Sequence, residues 1–169
     1  MKIILFIFSI LTFFQIPDLA FADSKVDGAE LECSAEYRFD GKKLVLTENE
    51  QRETLKPEQF KILREGEIET PFHNGYHDNK KRALYVSAGY ALPLYSSYTK
   101  FDTGTGWLSF WQPICPKNMT ITEQGLIFTK NEVSCSRCGA HLSDVLNDGP
   151  PPTGNRLCMN SVSLKFIPK

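Results

Sequence analysis

The chain has 169 residues, with 19 Lys and Arg against 20 Asp and Glu and a formal net charge of −1. That balance points away from nucleic acid and from an anionic surface as partner. The length is enough for a domain with a real core, and no nucleotide, haem or flavin motif occurs in it.

At the start, Lys2 precedes an apolar run from Ile3 to Phe14 broken only by Ser9 and Thr12, and Ala20-Phe21-Ala22 has the small-residue form of a cleavage site. Residues 1–22 therefore read as a secretory signal peptide, too short in its apolar part for a comfortable membrane span. Export across the inner membrane, to the periplasm, is the expected route. Residues 23–50 read as a polar leader, with a patch of strand-like alternation at Leu44 and Leu46, and residues 51–169 as the domain. Five cysteines remain after cleavage, Cys33, Cys115, Cys135, Cys138 and Cys158. In an oxidising compartment an odd count leaves at least one thiol without an intramolecular partner.

Leu55 to Arg64 is the best helix candidate. Pro57 suits a first helical position, Phe60 and Leu63 can face a core together, and Gly66 is a stop. From Thr70 onward the chain reads as all-β. Turn signals recur at Asn74-Gly75, Asp78-Asn79, Gly104-Thr105-Gly106, Asp148-Gly149-Pro150 and Thr153-Gly154. Strand-like pieces lie between them at Ala83–Ala88, Leu126–Thr129 and Asn131–Ser134. Trp107 and Phe110 follow a flexible turn, and could equally wall a small ligand group or fill the core.

Near the carboxyl end, Val162, Leu164 and Phe166 alternate with Ser161, Ser163 and Lys165, the period of a half-buried strand. If that strand runs back to Arg156, then Arg156, Cys158 and Asn160 emerge on one face. A guanidinium beside a thiol favours the thiolate, so Cys158 is the candidate nucleophile, with Arg156 as its cation and Asn160 as a positioning amide. A buried, inert cysteine is the competing reading of those three residues.

The ordered set of Leu55-Lys56-Pro57-Glu58-Gln59-Phe60, Pro71-Phe72, Leu84-Tyr85-Val86, Lys100 to Phe110, Glu132 to Leu142, Asp148-Gly149-Pro150 and the terminal block resembles the B-type methionine-R-sulfoxide reductase family. The resemblance runs from about Leu55 to Lys169. It implies a mainly β fold, two small antiparallel sheets (Mss4-like) with a few peripheral short helices. It also implies a peptide-methionine (R)-S-oxide reductase that repairs oxidised proteins. Cys158 would attack the sulfoxide sulfur and become a sulfenic acid, which another thiol returns to the reduced state. Trp107, with Phe110, would contact the substrate. His141 matches the first histidine of the family's His-x-x-His segment, whose histidines supply hydrogen bonds and a proton.

Three departures stand out. The second histidine of that segment is Asp144, and a carboxyl group donates a proton only where its surroundings favour the acid form. This motivates an alternative, a weakened module that binds methionine side chains without efficient turnover. Zinc-binding members use two C-x-x-C pairs, and only Cys135 and Cys138 remain, with Ser87 and Tyr90 at the other pair. No tightly bound metal or other cofactor is expected, because hydroxyls are poor zinc ligands. Cys135 and Cys138 could instead be bridged, or be free thiols. Thr105 stands where some members carry a resolving cysteine, which leaves Cys33 and Cys115 as candidates. A structural Cys33–Cys115 disulfide is an equal alternative. The implied partners are oxidised proteins and a thioredoxin-like thiol reductant, with a monomer as the expected state.

Overall fold

The computed structural model describes residues 33–124 and 130–169. The expected signal peptide, the first part of the leader and the strand expected at Leu126–Thr129 lie outside the described residues. Helices α1 (Glu48–Thr54) and α2 (Pro57–Glu65) precede the strands β1 (Ala83–Ser87), β2 (Pro93–Ser96), β3 (Lys100–Phe101), β4 (Leu108–Phe110), β5 (Met119–Gln124), β6 (Lys130–Cys135), β7 (His141–Leu146), β8 (Arg156–Met159) and β9 (Leu164–Pro168). They form a three-stranded sheet, β2-β1-β9, and a six-stranded sheet, β3-β4-β8-β7-β6-β5, each antiparallel throughout. The two-sheet, mainly β architecture expected for the chain is the one it adopts.

Helix α2 forms as the sequence predicts. Pro57 opens it, Gly66 closes it in the left-handed region at φ 73°, and Phe60, Ile62 and Leu63 are buried. The strand-like patch at Leu44 and Leu46 is irregular chain, and helix α1 begins just after it. Thr47 and Glu50 close a reciprocal capping box, the Thr47 N–H donating to Glu50 Oε2 at 2.8 Å and the Glu50 N–H to Thr47 Oγ1 at 3.4 Å. The boundary expected between residues 50 and 51 falls inside this helix.

Tyr85 and Tyr95 from the smaller sheet meet Phe110 from the larger one. Phe110 stacks on Tyr95 with centroids 4.4 Å apart and takes Tyr85 edge-on at 5.1 Å. The Tyr95 hydroxyl is satisfied inside the core by the sulfurs of Met119 and Met159. Phe110 is fully buried here. The ligand-wall role expected for it is therefore corrected: alternation along β4 sends Leu108 and Phe110 inward.

The carboxyl-terminal block is also corrected. It is two strands in different sheets, β8 and β9, joined by a 3-10 turn over Ser161–Ser163. The chain changes sheet at Asn160, so the alternation of Val162, Leu164 and Phe166 was read across a corner. Ser161 and Ser163 are buried and Val162 only half-buried, the reverse of the expected order.

Cys33 and Cys115 form a disulfide. Beside it, Asn118 holds the arm that follows Cys33: its Nδ2 donates to the carbonyls of Tyr37 and Pro93, each at 2.6 Å, and its Oδ1 accepts the Phe39 N–H at 2.8 Å. Tyr37 is buried, so this part of the expected leader packs as domain.

Candidate active site

A row of directly opposed residues crosses the outer face of the larger sheet. Ser109 on β4 faces Cys158 on β8, Cys158 faces Asp144 on β7, and Asp144 faces Glu132 on β6. Opposed residues of an antiparallel pair leave the same face with Cβ atoms about 4.5–5.5 Å apart. The intervening residues Leu157, Met159 and Val133 point the other way, into the core. Cys158 is half-exposed, whereas the other free cysteines among the described residues, Cys135 and Cys138, are buried.

His141 joins this row through a β-bulge. It lies three positions before Asp144, which in a regular strand places the two on opposite faces. The pairing of β6 with β7 slips instead: Val133 faces Ser143, and Ser134 faces His141. The extra residue, Leu142, turns into the core and returns His141 to the outer face. There its Nδ1 lies 2.7 Å from Glu132 Oε1, with both side chains largely covered. The family-like H-x-x-D spacing thus works only because the strand is bulged.

Arg156, two residues before Cys158, shares the outer face. Its guanidinium is held by Asp148, Nε to Oδ1 and a terminal nitrogen to Oδ2, both at 2.7 Å. Asp148 sits on a tight loop closed by a bond from the Gly149 N–H to the Gly154 carbonyl at 2.9 Å. The backbone of Asn155 approaches Gly149 so closely that a Cβ there would lie 1.9 Å from a carbonyl oxygen. Only glycine fits that loop.

Arg156 lowers the Cys158 pKa, in the expected direction, but the net shift is upward. Burial pushes the thiol above its ordinary value, Arg156 pulls it down, and the carboxylates of Asp144 and Asp148 push it up again. The net direction is upward because burial outweighs the guanidinium. Cys158 rests as a thiol.

Asn160 is buried. Its Oδ1 accepts the Glu69 N–H at 3.0 Å and its Nδ2 reaches the Leu142 carbonyl at 3.5 Å. It supports the bulge and the chain before the cleft. The sequence reading missed Glu69. Its carboxylate accepts the N–H groups of Ser161 and Val162, and its carbonyl accepts the Trp107 indole N–H at 3.2 Å. Burial raises its pKa against those backbone bonds. Glu69 carried no local signal, since its partners are distant in sequence. Trp107 lies two residues before Ser109, the partner of Cys158, and is half-buried. A cleft of about 370 Å3 runs beside Arg156, lined by Phe101, Asp102, Thr105, Asp148 and Pro150 among others.

The candidate resolving cysteines are bound to each other, and Cys115 is buried. A resolving role for either in this oxidised form is corrected accordingly. Cys135 and Cys138 are free thiols on the core side, near the hairpin turn that carries Ser87 and Tyr90. The Cys138 S–H bond and backbone N–H groups lower the Cys135 pKa, while that of Cys138 rises. The Ser87 hydroxyl also helps to lower the Cys135 pKa, and the Tyr90 hydroxyl is buried without a hydrogen-bond partner among the described residues. Two thiols with two hydroxyls do not match the four Cys or His ligands of structural zinc. Among the described residues, no group of three or more His, Cys, Asp or Glu could hold a metal ion.

Fold and site define a small two-sheet redox domain with one accessible thiol among proton-carrying groups. Residues 55–168 match the SelR domain, and the chain belongs to that family. It is 44% identical over 125 residues to a protein of Methanosarcina mazei named peptide methionine sulfoxide reductase MsrB, covering 73% of this chain and 89% of that one. It is 45% identical to proteins of the same name from Thiobacillus denitrificans, over 73% and 94% of the two chains, and Pseudomonas fluorescens, over 75% and 98%.

Proposed function

We propose that this chain is a peptide-methionine (R)-S-oxide reductase in which Cys158 is the nucleophile. The observation that carries the reading is the outer-face row: one half-exposed thiol opposed by a carboxylate, inside a SelR domain. The overall step is balanced without a cofactor. The Cys158 sulfur attacks the sulfoxide sulfur, the oxygen passes to Cys158 as a sulfenic acid, the thiol proton ends on that oxygen, and methionine leaves.

Because Cys158 rests protonated, something must move its proton. Asp144, directly opposed to it, is the shuttle: the carboxylate takes the thiol proton and returns it to the sulfoxide oxygen. His141, fixed by Glu132, stands on the same face, and Arg156 offsets the negative charge that develops at sulfur. Trp107 contacts the substrate. With Cys33 and Cys115 bridged and Cys135 and Cys138 inside, the sulfenic acid is reduced directly by an external thiol, of the thioredoxin class or smaller.

The Cys135–Cys138 pair is held as a hydrogen-bonded dithiol without tightly bound zinc. The enzyme acts as an exported monomer in the periplasm, a reading supported by the signal-like residues 1–22 and by a disulfide of the kind that persists in oxidising compartments. Turnover of both epimers of a blocked methionine sulfoxide with dithiothreitol tests the function. The R form is consumed, and Cys158→Ser abolishes that; R-directed turnover surviving the substitution overturns the assignment.

A further inference from the structure

With Phe110 in the core, the second aromatic wall expected beside Trp107 must come from another residue. Phe72 has the properties such a wall requires. It is 60% exposed, so its ring gains little from the core. Its backbone sits at φ 64°, a region that a bulky side chain occupies only under constraint. A strained and solvent-facing aromatic stabilises nothing evident in the fold, and residues of this kind cluster at functional sites.

The constraint is visible. The Phe72 N–H donates to the Gly106 carbonyl at 3.0 Å, and Asn74 Nδ2 donates to the same oxygen at 2.9 Å. The Phe72 ring lies against Gly106, where an added Cβ would come within 2.5 Å of it. His77 meets the ring edge-on with centroids 5.7 Å apart. Three residues earlier, the Glu69 carbonyl holds the Trp107 indole. One strap, Glu69 to His77, therefore anchors Trp107 at one end and sets Phe72 on the preceding residue.

We infer that Phe72 is a substrate-contacting residue, closing with Trp107 on the methyl group and side-chain carbons of methionine sulfoxide. This rests on the reductase reading and adds a specificity-determining residue to it. Contact with one methyl-sized group in an apolar site is worth about 10–200-fold. Contact made equally in the ground and transition states appears in KM, not kcat.

The test sets stability against kinetics in Phe72→Gly and Phe72→Leu. Glycine adopts φ 64° freely, so Phe72→Gly melts no lower than the wild type, yet its KM for blocked methionine-R-sulfoxide rises about tenfold or more with kcat nearly unchanged. Phe72→Leu, which keeps an apolar wall, recovers part of that loss. A wild-type KM in Phe72→Gly, or a lower melting temperature with unchanged kinetics, overturns the inference while leaving the reductase reading intact. A wild type inert toward the R sulfoxide overturns both.

Discussion

Replacing both bridged cysteines, as Cys33→Ala with Cys115→Ala, separates a structural staple from an electron path. The bridge spans a sequence separation of 82. In the chain-entropy treatment, closing such a loop restricts the unfolded chain by about 4.5 kcal/mol at 25 °C. Asn118 still docks the arm in the variant through its two hydrogen bonds to Tyr37 and Phe39, so the native state changes little and the loss arises in the unfolded ensemble. Measured disulfides fall short of the entropic figure, which leaves about 2–4 kcal/mol. For a domain of this size that is a fall in Tm of roughly 6–20 °C. Alanine is chosen because Cys115 is buried and a serine hydroxyl there would add its own cost. Thermal melting by circular dichroism, without reductant, measures the shift. Dithiothreitol-driven turnover at 20 °C stays near the wild-type rate, since neither sulfur faces Cys158. An unchanged Tm together with lost recycling by a protein dithiol would refute this reasoning, because the pair would then carry electrons.

The raised Cys158 pKa places the midpoint of its alkylation rate above the ordinary thiol value, with the rate climbing as pH rises and the thiolate forms. Arg156→Met removes the one influence that lowers this pKa, so the midpoint moves higher and alkylation at neutral pH slows. Asp144→Asn removes a carboxylate that raises it, so the midpoint moves lower and alkylation speeds up, while turnover falls by about 10²–10⁴ for want of the shuttle. Faster alkylation with undiminished turnover in that variant would reject the shuttle. Asp144→His, which restores a group able to carry a proton, keeps turnover within about tenfold of the wild type. Glu132→Gln weakens the hold on His141, and the loss is expected in kcat, read from steady-state kinetics with the melting temperature as control. Metal analysis of the purified protein finds well under one zinc per chain, and a chelator leaves Tm unchanged. A stoichiometric zinc that raises Tm would show that Ser87 and Tyr90 complete a site after all.

Much of this protein was legible from residues close together in the chain. Pro57 and Gly66 delimit a helix because their backbone preferences are local. Cys158 and Arg156 are two apart on one strand and share its face. Thr47 and Glu50 carried a capping signature that the neighbouring alternation at Leu44 and Leu46 obscured. The remainder depended on contacts that no local pattern encodes. Whether Phe110 faces substrate or core depends on which side of β4 meets Tyr95. His141 and Asp144 share a face only because β7 bulges against β6. The upward shift at Cys158 follows first from burial, with Asp144 and Asp148 adding to it and Arg156, held by Asp148 across a loop, opposing it. Residue types and spacing thus determined which chemistry the chain carries. Strand register, the change of sheet at Asn160 and the pairing of distant charges decided where each group points and how strongly it is charged, because burial and electrostatic coupling depend on distance in space.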